Sequence, residues 1–119
     1  MARLIRRGQI WICDLNPGYG LEIHKKRPVL IIAADEVNRN LHTTIVIPIS
    51  SQVSSVGIEK IFLPKNSAGL DKNSVVLPVL VRTVDKERLV KRVGKISEEK
   101  LGEVEESLKL VLGLTSLDK

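Results

Sequence analysis

The spacing of apolar residues in the first half of the chain predicts three strands. Apolar and polar positions alternate in residues 9–15, as in a strand with two different faces. Residues 28–34 are apolar throughout, which is typical of a strand covered on both faces. Residues 43–49 form a third strand, in which Pro48 indicates an edge or a bulge. The polar residues 35–42 between them predict a turn or a short helix.

The second half predicts shorter strands with interruptions. Residues 58–63 read as a short strand, and residues 64–72 as a loop containing Gly69. Residues 74–84 form the longest β-branched run, and Pro78 breaks it. Residues 85–89 could form a single helical turn, and residues 89–96 a last irregular or extended piece.

The C-terminal segment carries the pattern of one amphipathic helix. Ser97 is suited to cap it, and Glu98 and Glu99 fall in the first turn, where the helix dipole favours anions. The apolar positions recur at helical spacing; they are Leu101, Val104, Leu108, Val111 and Leu112. Five to seven strands and one helix predict a mainly β protein of the α+β class, a small half-open β-barrel with a C-terminal helix.

Composition limits the size and the partners of this fold. The chain has 119 residues, enough for one domain spanning residues 1–119. Aromatic residues make up only 3%, so Val, Ile and Leu must build the core. The net charge of +5 favours a polyanion or an acidic protein as partner. Cations concentrate in residues 1–27 and carboxylates in residues 97–119.

Several classes of site and location are disfavoured by the residues available. Cys13 is the only cysteine, so an internal disulfide is excluded, and its place in a strand predicts a buried thiol. His24 and His42 lie in different loops, away from any carboxylate cluster at ligand spacing, so we expect no metal and no cofactor. The N-terminal residues lack the apolar stretch of a signal peptide, and no run approaches membrane-spanning length. A soluble, cytoplasmic protein is therefore expected.

The most polar candidate for a site is the loop that joins the first two strands. It carries Glu22, His24 and the cations Lys25, Lys26 and Arg27, and it is anchored at both ends by strands. A polar loop fixed at its base is a common setting for binding or catalysis.

Two serines at the end of another strand suggest which chemical group Arg27 could bind. Arg27 begins one predicted strand, whereas Ser50 and Ser51 end another. If the two strands are neighbours, a guanidinium and a hydroxyl converge on one rim, and such a pair suits a phosphodiester. An ordinary surface charge before a proline remains an alternative. The residues alone thus indicate a small, basic, β-rich domain that could bind phosphate.

Three sequence blocks, in order and at familiar distances, resemble the MazF/PemK family of toxin–antitoxin toxins. The first comprises Gly8-Gln9-Ile10-Trp11, Leu15-Asn16-Pro17, Gly20-Leu21-Glu22 and Lys26-Arg27-Pro28-Val29-Leu30-Ile31; the second is Pro48-Ile49-Ser50-Ser51; the third is Arg82-Thr83-Val84-Asp85-Lys86-Glu87-Arg88-Leu89. Each block is weak alone, and together they span nearly the whole chain.

The resemblance implies a small SH3-like barrel of the kind shared with the gyrase poison CcdB. It also implies a homodimer and a metal-independent endoribonuclease that cleaves single-stranded RNA. In this family the neighbouring 2′-hydroxyl attacks, leaving a 2′,3′-cyclic phosphate and a 5′-hydroxyl. A cognate antitoxin with an acidic tail would neutralise the toxin.

Site residues are carried over from the resemblance position by position. Arg27 matches the family's catalytic arginine, and Ser50 matches its catalytic Thr or Ser. Glu22 matches a loop carboxylate tied to RNA handling. The other residues expected to contact RNA are His24, Lys25, Lys26, Ser51, Gln52 and Arg82.

One departure from the family concerns the proton acceptor. Many members carry an acidic residue followed by Gln just before the third block, where this chain has Val79 and Leu80. If that acid is essential, Glu22 or His24 must replace it, and base preference is expected to be relaxed or unusual. Two alternatives stay open: a non-cleaving homologue that binds RNA or antitoxin, and a CcdB-like topoisomerase poison. The C-terminal residues 113–119 lack the Trp-Gly-Ile-like end of that poison.

Overall fold

A computed structural model describes residues 3–16, 25–53 and 60–115, and these residues build one antiparallel sheet and two helices. The strands are Gln9–Asp14 (β1), Lys26–Ile31 (β2), Thr43–Ser50 (β3), Ile61–Leu63 (β4), Ser74–Val76 (β5), Arg82–Asp85 (β6) and Leu89–Lys95 (β7). The helices are Asp35–Asn40 (α1) and Glu98–Val111 (α2). The strand order is β4-β5-β3-β2-β1-β7, and β6 also pairs with β3. The predicted half-open barrel with a C-terminal helix is confirmed.

Strand β3 lies in the interior of the sheet, and Pro48 sits where its partner changes. Residues Thr43 to Val46 pair with β6, whereas Ile49 and Ser50 pair with β5. Pro48 lies between these two stretches, and its carbonyl accepts a hydrogen bond from Leu77 N at 3.1 Å. The expected edge or bulge at Pro48 is therefore wrong. A proline is tolerated here because neither β6 nor β5 needs a backbone donor at this position.

Alternating residues of the central strands belong to two apolar clusters, one on each face of the sheet. Within β2, Leu30 faces the first cluster, whereas Val29 and Ile31 face the second. Helix α2 adds Val104 to the first cluster. The second contains Trp11 and the members Ile5, Cys13, Leu15, Val46, Val84 and Leu89. The strand predicted over residues 28–34 forms as Lys26–Ile31 and is covered on both faces, whereas residues 32–34 lie beyond its end.

Helix α2 begins as the sequence predicts. Ser97 Oγ accepts a hydrogen bond from Lys100 N at 3.1 Å, and Glu98 and Glu99 occupy the first turn. The apolar stripe is buried only in part. Leu101 and Leu108 pack against the core beside buried Val104, whereas Leu112 at the C-terminal end is 54% exposed. The helix thus packs on the first cluster and leaves apolar surface at its C-terminal end.

Proline and aspartate divide the second half of the chain. Pro78 starts a 3-10 turn, Pro78–Leu80, that separates β5 from β6. Asp85 caps the predicted single turn, which forms as Lys86–Arg88, by accepting from Glu87 N at 2.9 Å. The piece expected to be irregular or extended forms a strand, β7, whose pairing is irregular. It pairs with β1 through two register shifts, which obscure its alternation in the sequence.

A buried amide joins α1 to β3 and makes a stability prediction. Asn38 Nδ2 donates to the Ala33 carbonyl at 3.1 Å, and Asn38 Oδ1 accepts from Thr44 Oγ1 at 2.6 Å. Asn38→Ala leaves a buried hydroxyl without an acceptor, so we expect the free energy of unfolding to fall by about 1–3 kcal/mol. Urea denaturation measures the change. Asn40→Ala, on the exposed side of the same helix, should cost under about 0.5 kcal/mol, and equal losses would contradict the assignment.

Candidate active site

Antiparallel pairing brings three strand ends to one rim of the barrel. Strand β2 begins there, β3 ends there, and β5 begins there, since Ser50 pairs with Val75. Val29 pairs with Pro48, and the same register continued by two residues places Ser50 opposite Arg27. The two strand ends that the sequence singled out are therefore neighbours.

A cleft of about 240 Å³ opens at this rim. Its lining includes apolar core residues as well as charged and hydroxyl-bearing residues. The described lining residues are Arg27, Pro28, Ile49, Ser51, Leu70, Asp71, Lys72 and Ser74. Two cationic residues, one acidic residue and two serines therefore line one cleft.

The structure separates the two serines that sequence reasoning treated as a pair. Ser51 is exposed and lines the cleft with Arg27. Ser50 is half-buried and lies outside the lining, and its Oγ accepts a hydrogen bond from Gln52 N at 3.1 Å. The bond closes the turn that follows β3. Ser51 is thereby the serine presented to the cleft, and Gln52 is exposed beside it.

The base of the polar loop is held on both sides. Lys25 N donates to Asn16 Oδ1 at 3.0 Å, and Leu15 N donates to the Lys25 carbonyl at 2.9 Å. Lys26 is exposed and lies opposite Asp14 in the β1–β2 ladder. Two residues predicted to contact RNA, Glu22 and His24, lie outside the described residues. The structure therefore fixes where the loop leaves and rejoins the sheet.

Lys25 adopts a left-handed backbone conformation, with φ of 71°. A side chain there crowds the backbone, at a cost of roughly 1–2 kcal/mol. Lys25→Gly and Lys25→Ala both remove the charge, but only glycine relieves the strain. We expect Lys25→Gly to be about 1 kcal/mol more stable to unfolding than Lys25→Ala. Equal thermal midpoints for the two variants would contradict backbone strain at residue 25.

Arg88 holds the entrance to the polar loop, a contact that the sequence did not indicate. Its guanidinium donates to the Asp14 carbonyl at 3.1 Å and also to the Asn16 carbonyl. It thereby holds the segment through which β1 enters the loop. The only sequence signal was its membership of the third block, which does not reveal a contact with a segment more than seventy residues away.

Arg82 lies outside the cleft lining, on the sheet face of the second apolar cluster, which is also the face of Arg27 in the β1–β2 register. It pairs with Val46, and its charge acts on Cys13, the residue that pairs with Arg27. Burial raises the pKa of the Cys13 thiol to about 11, although Arg82 and Arg88 act in the opposite direction. The thiol therefore stays protonated near neutral pH, and the predicted burial of Cys13 is confirmed.

The loop before β5 contributes two cleft residues that sequence reasoning missed, Asp71 and Lys72. Their spacing in the sequence did not indicate a place in the cleft. The loop reaches the rim by packing against β7, a contact between segments that are distant in the chain. Gly69 and Gly94 make that packing possible. A Cβ on Gly94 would lie 2.1 Å from the Ala68 carbonyl oxygen, so only glycine fits there.

Val79 and Leu80, which occupy the positions acidic and amide residues take in many relatives, lie outside the cleft lining. They belong to the 3-10 turn Pro78–Leu80, which packs against α2 and β3. Val79 is 55% exposed. The turn thus presents apolar surface and offers no proton acceptor.

Two findings concern only the part of the chain that the structure describes. No group of three or more His, Cys, Asp or Glu side chains is placed to hold a metal ion there. The helices described in the structure are also too short or too polar to cross a membrane.

Comparison with known proteins places the chain in a family. The family model for the PemK-like, MazF-like toxin of type II toxin–antitoxin systems matches residues 6–112. A MazF from Deinococcus radiodurans has a similar fold, with a TM-score of 0.83 and 22% identity over 94% of this chain and 99% of its own. The toxin MazF-mt6 from Mycobacterium tuberculosis gives 0.77 and 23% over 91% and 99%. A mycobacterial endoribonuclease in complex with its cognate antitoxin gives 0.78 and 20% over 94% and 98%.

These fold matches agree with the family model across the strands that form the cleft. The model covers β1 through β7 and all of α2, together with the three blocks noted in the sequence. The chain belongs to the PemK-like, MazF-like toxins of type II toxin–antitoxin systems.

Proposed function

We propose that this toxin is a metal-independent endoribonuclease that cleaves single-stranded RNA. The observation that carries the proposal is the convergence of Arg27, Ser51 and Lys72 in one cleft at the barrel rim. Two cations and a hydroxyl in that space match the charge and the hydrogen-bonding capacity of a phosphodiester. Family membership supports the same activity.

The chemistry requires little from the protein beyond charge and position. The 2′-hydroxyl next to the scissile phosphate attacks phosphorus, and the P–O5′ bond breaks. Arg27 grips two non-bridging oxygens and stabilises the charge that builds on the pentacoordinate phosphorus. Ser51 donates a further hydrogen bond to the phosphate. The products are a 2′,3′-cyclic phosphate and a 5′-hydroxyl, and the reaction needs no metal and no cofactor.

Single-stranded RNA suits the surface around the cleft. Lys25, Lys26 and Gln52 are exposed next to it and can contact neighbouring phosphates and bases. Binding through several phosphates makes affinity fall steeply with salt. A single strand can lay an unstacked nucleotide across a rim of this size, whereas a duplex keeps its bases stacked. Apolar Val79 and Leu80 favour a relaxed or unusual base preference.

The proposed partners are a second copy and an acidic antitoxin. The net charge of +5 attracts an acidic tail. Exposed apolar residues, Leu112 at 54% and Leu114 at 71%, provide surface for contact with a partner. The mycobacterial endoribonuclease seen with its cognate antitoxin shares this fold. A homodimer neutralised by such a tail is therefore the assembly we propose.

The test is incubation of the purified protein with a long, unstructured RNA in EDTA, followed by mapping of 5′ ends and analysis of 3′ ends. We expect discrete cuts, with 5′-hydroxyl and cyclic phosphate termini. Cuts that depend on added divalent metal would contradict the mechanism. An absence of cuts by folded protein that binds the RNA would favour the binding-only homologue, and an absence of both would remove the proposal.

A further inference from the structure

The mechanism proposed above still lacks a group that accepts the proton of the attacking 2′-hydroxyl. The positions where many relatives carry an acid hold Val79 and Leu80, and these lie outside the cleft. Among the described residues that line the cleft, Asp71 is the one with a carboxylate. The remaining lining side chains are cationic, hydroxyl or apolar, so none of them is a comparable base near neutral pH.

We infer that Asp71 is the general base of this toxin, acting with Lys72 from the loop that precedes β5. The inference rests on the proposed ribonuclease function. It assigns a catalytic role to a loop that follows β4 in the chain, and not to the turn before β6.

The loop that carries Asp71 is held firmly on both sides of it. Leu70 is buried, and its backbone exchanges hydrogen bonds of 2.8 and 2.9 Å with Asn66 and Ser67. Ser74 Oγ donates to the Lys72 carbonyl at 2.9 Å. Asp71 thus lies between a buried anchor and a hydrogen-bonded turn, and a catalytic group needs such a fixed backbone.

Two further hydrogen bonds hold the same loop. Lys65 N donates to Asn73 Oδ1 at 2.7 Å, and Ser67 Oγ donates to the Pro64 carbonyl at 2.6 Å. The loop also rests on β7 through the close approach of Gly69 to the Val93 carbonyl. Asp71 itself is exposed and lines the cleft.

The side chains in the cleft, together with solvent, account for every proton that moves in the reaction. As O2′ attacks phosphorus, Asp71 takes the proton of the 2′-hydroxyl and becomes neutral. The P–O5′ bond breaks, and the leaving 5′-oxygen takes a proton from the Lys72 ammonium. Solvent returns the proton from Asp71 to Lys72, which restores both side chains. Arg27 keeps its charge throughout and stabilises the transition state.

The test compares Asp71→Asn with Asp85→Asn, the same substitution at an exposed position outside the cleft. Asparagine can still accept the hydrogen bond from Glu87 N, so Asp85→Asn keeps its turn. The substrate is an RNA that the wild type cleaves, and a 2′-O-methyl copy reports binding. Loss of a general base should lower kcat by about 10²- to 10⁴-fold, with the Kd for the 2′-O-methyl RNA unchanged.

A pH series separates proton transfer from a purely structural role. Without the carboxylate, hydroxide must remove the proton, so the Asp71→Asn rate should rise about tenfold per pH unit where the wild-type rate is level. Wild-type rates in Asp71→Asn, or a loss of rate explained by weaker binding, would overturn the inference. Failure of the wild type itself to cleave any RNA would instead contradict the proposed function, so the two failures are distinguishable.

Discussion

Arg27→Ala is expected to reduce RNA cleavage by about 10²- to 10³-fold while the protein stays folded. The side chain lines the cleft at the start of β2 and is the proposed contact with the charge that develops in the transition state. Its removal leaves Lys72 as the remaining described cation in the lining. Single-turnover cleavage of the mapped RNA sites in EDTA measures the effect.

Two further variants define what Arg27 contributes. Arg27→Lys keeps the charge but loses the bidentate grip, so we expect a loss between those of wild type and Arg27→Ala. Arg39→Ala removes an exposed cation from α1, outside the cleft, and should cleave normally. Thermal denaturation checks that all three fold. Cleavage by Arg27→Ala at the wild-type rate would remove Arg27 from the mechanism.

Gly94→Ala is expected to show the second largest effect, on both stability and cleavage. The new methyl would lie 2.1 Å from the Ala68 carbonyl oxygen, and Gly69 faces the same contact from the other side. Backbone cannot yield as a side chain can, so the loop must move away from β7. We expect the free energy of unfolding to fall by about 3 kcal/mol, the upper end of the range for overpacking. Urea denaturation measures it.

The same displacement should weaken the active site. Asp71 and Lys72 follow Gly69 in the loop. Gly94→Ala should therefore shift both cleft residues, although the new methyl itself meets Ala68 and Gly69. Cleavage by the folded fraction should therefore fall as well. Unchanged cleavage with lowered stability would show that the loop keeps its place at the rim.

Gly102→Ala is the matched control for this prediction. Gly102 lies inside α2, and a Cβ there would meet nothing within 4 Å. Alanine in a helix interior is favoured over glycine by about 1 kcal/mol, so this variant should be more stable than wild type. The two Gly→Ala variants are thus expected to change stability in opposite directions, and a loss in both would contradict the packing argument.

Sequence patterns were sufficient for features that depend on neighbouring residues. The alternation around Trp11, the apolar run after Pro28 and the cap at Ser97 are local, and each predicted the element that forms. The three blocks were sufficient for the family, since they are fixed in order and spacing along the chain. The strand ends at Arg27 and Ser50 were also recognisable, because polar residues follow apolar runs there.

Tertiary structure decided which of these residues meet. Register brings the Ser50 end of β3 next to Arg27, Ser51 rather than Ser50 lines the cleft, and a change of partner strand makes room for Pro48 inside the sheet. The close contact of Gly69 with Gly94 brings Asp71 and Lys72 to Arg27. Periodicity reports how each segment faces its own surroundings, whereas a cleft forms from segments far apart in the chain. Their meeting depends on strand order and backbone packing, which no local pattern contains.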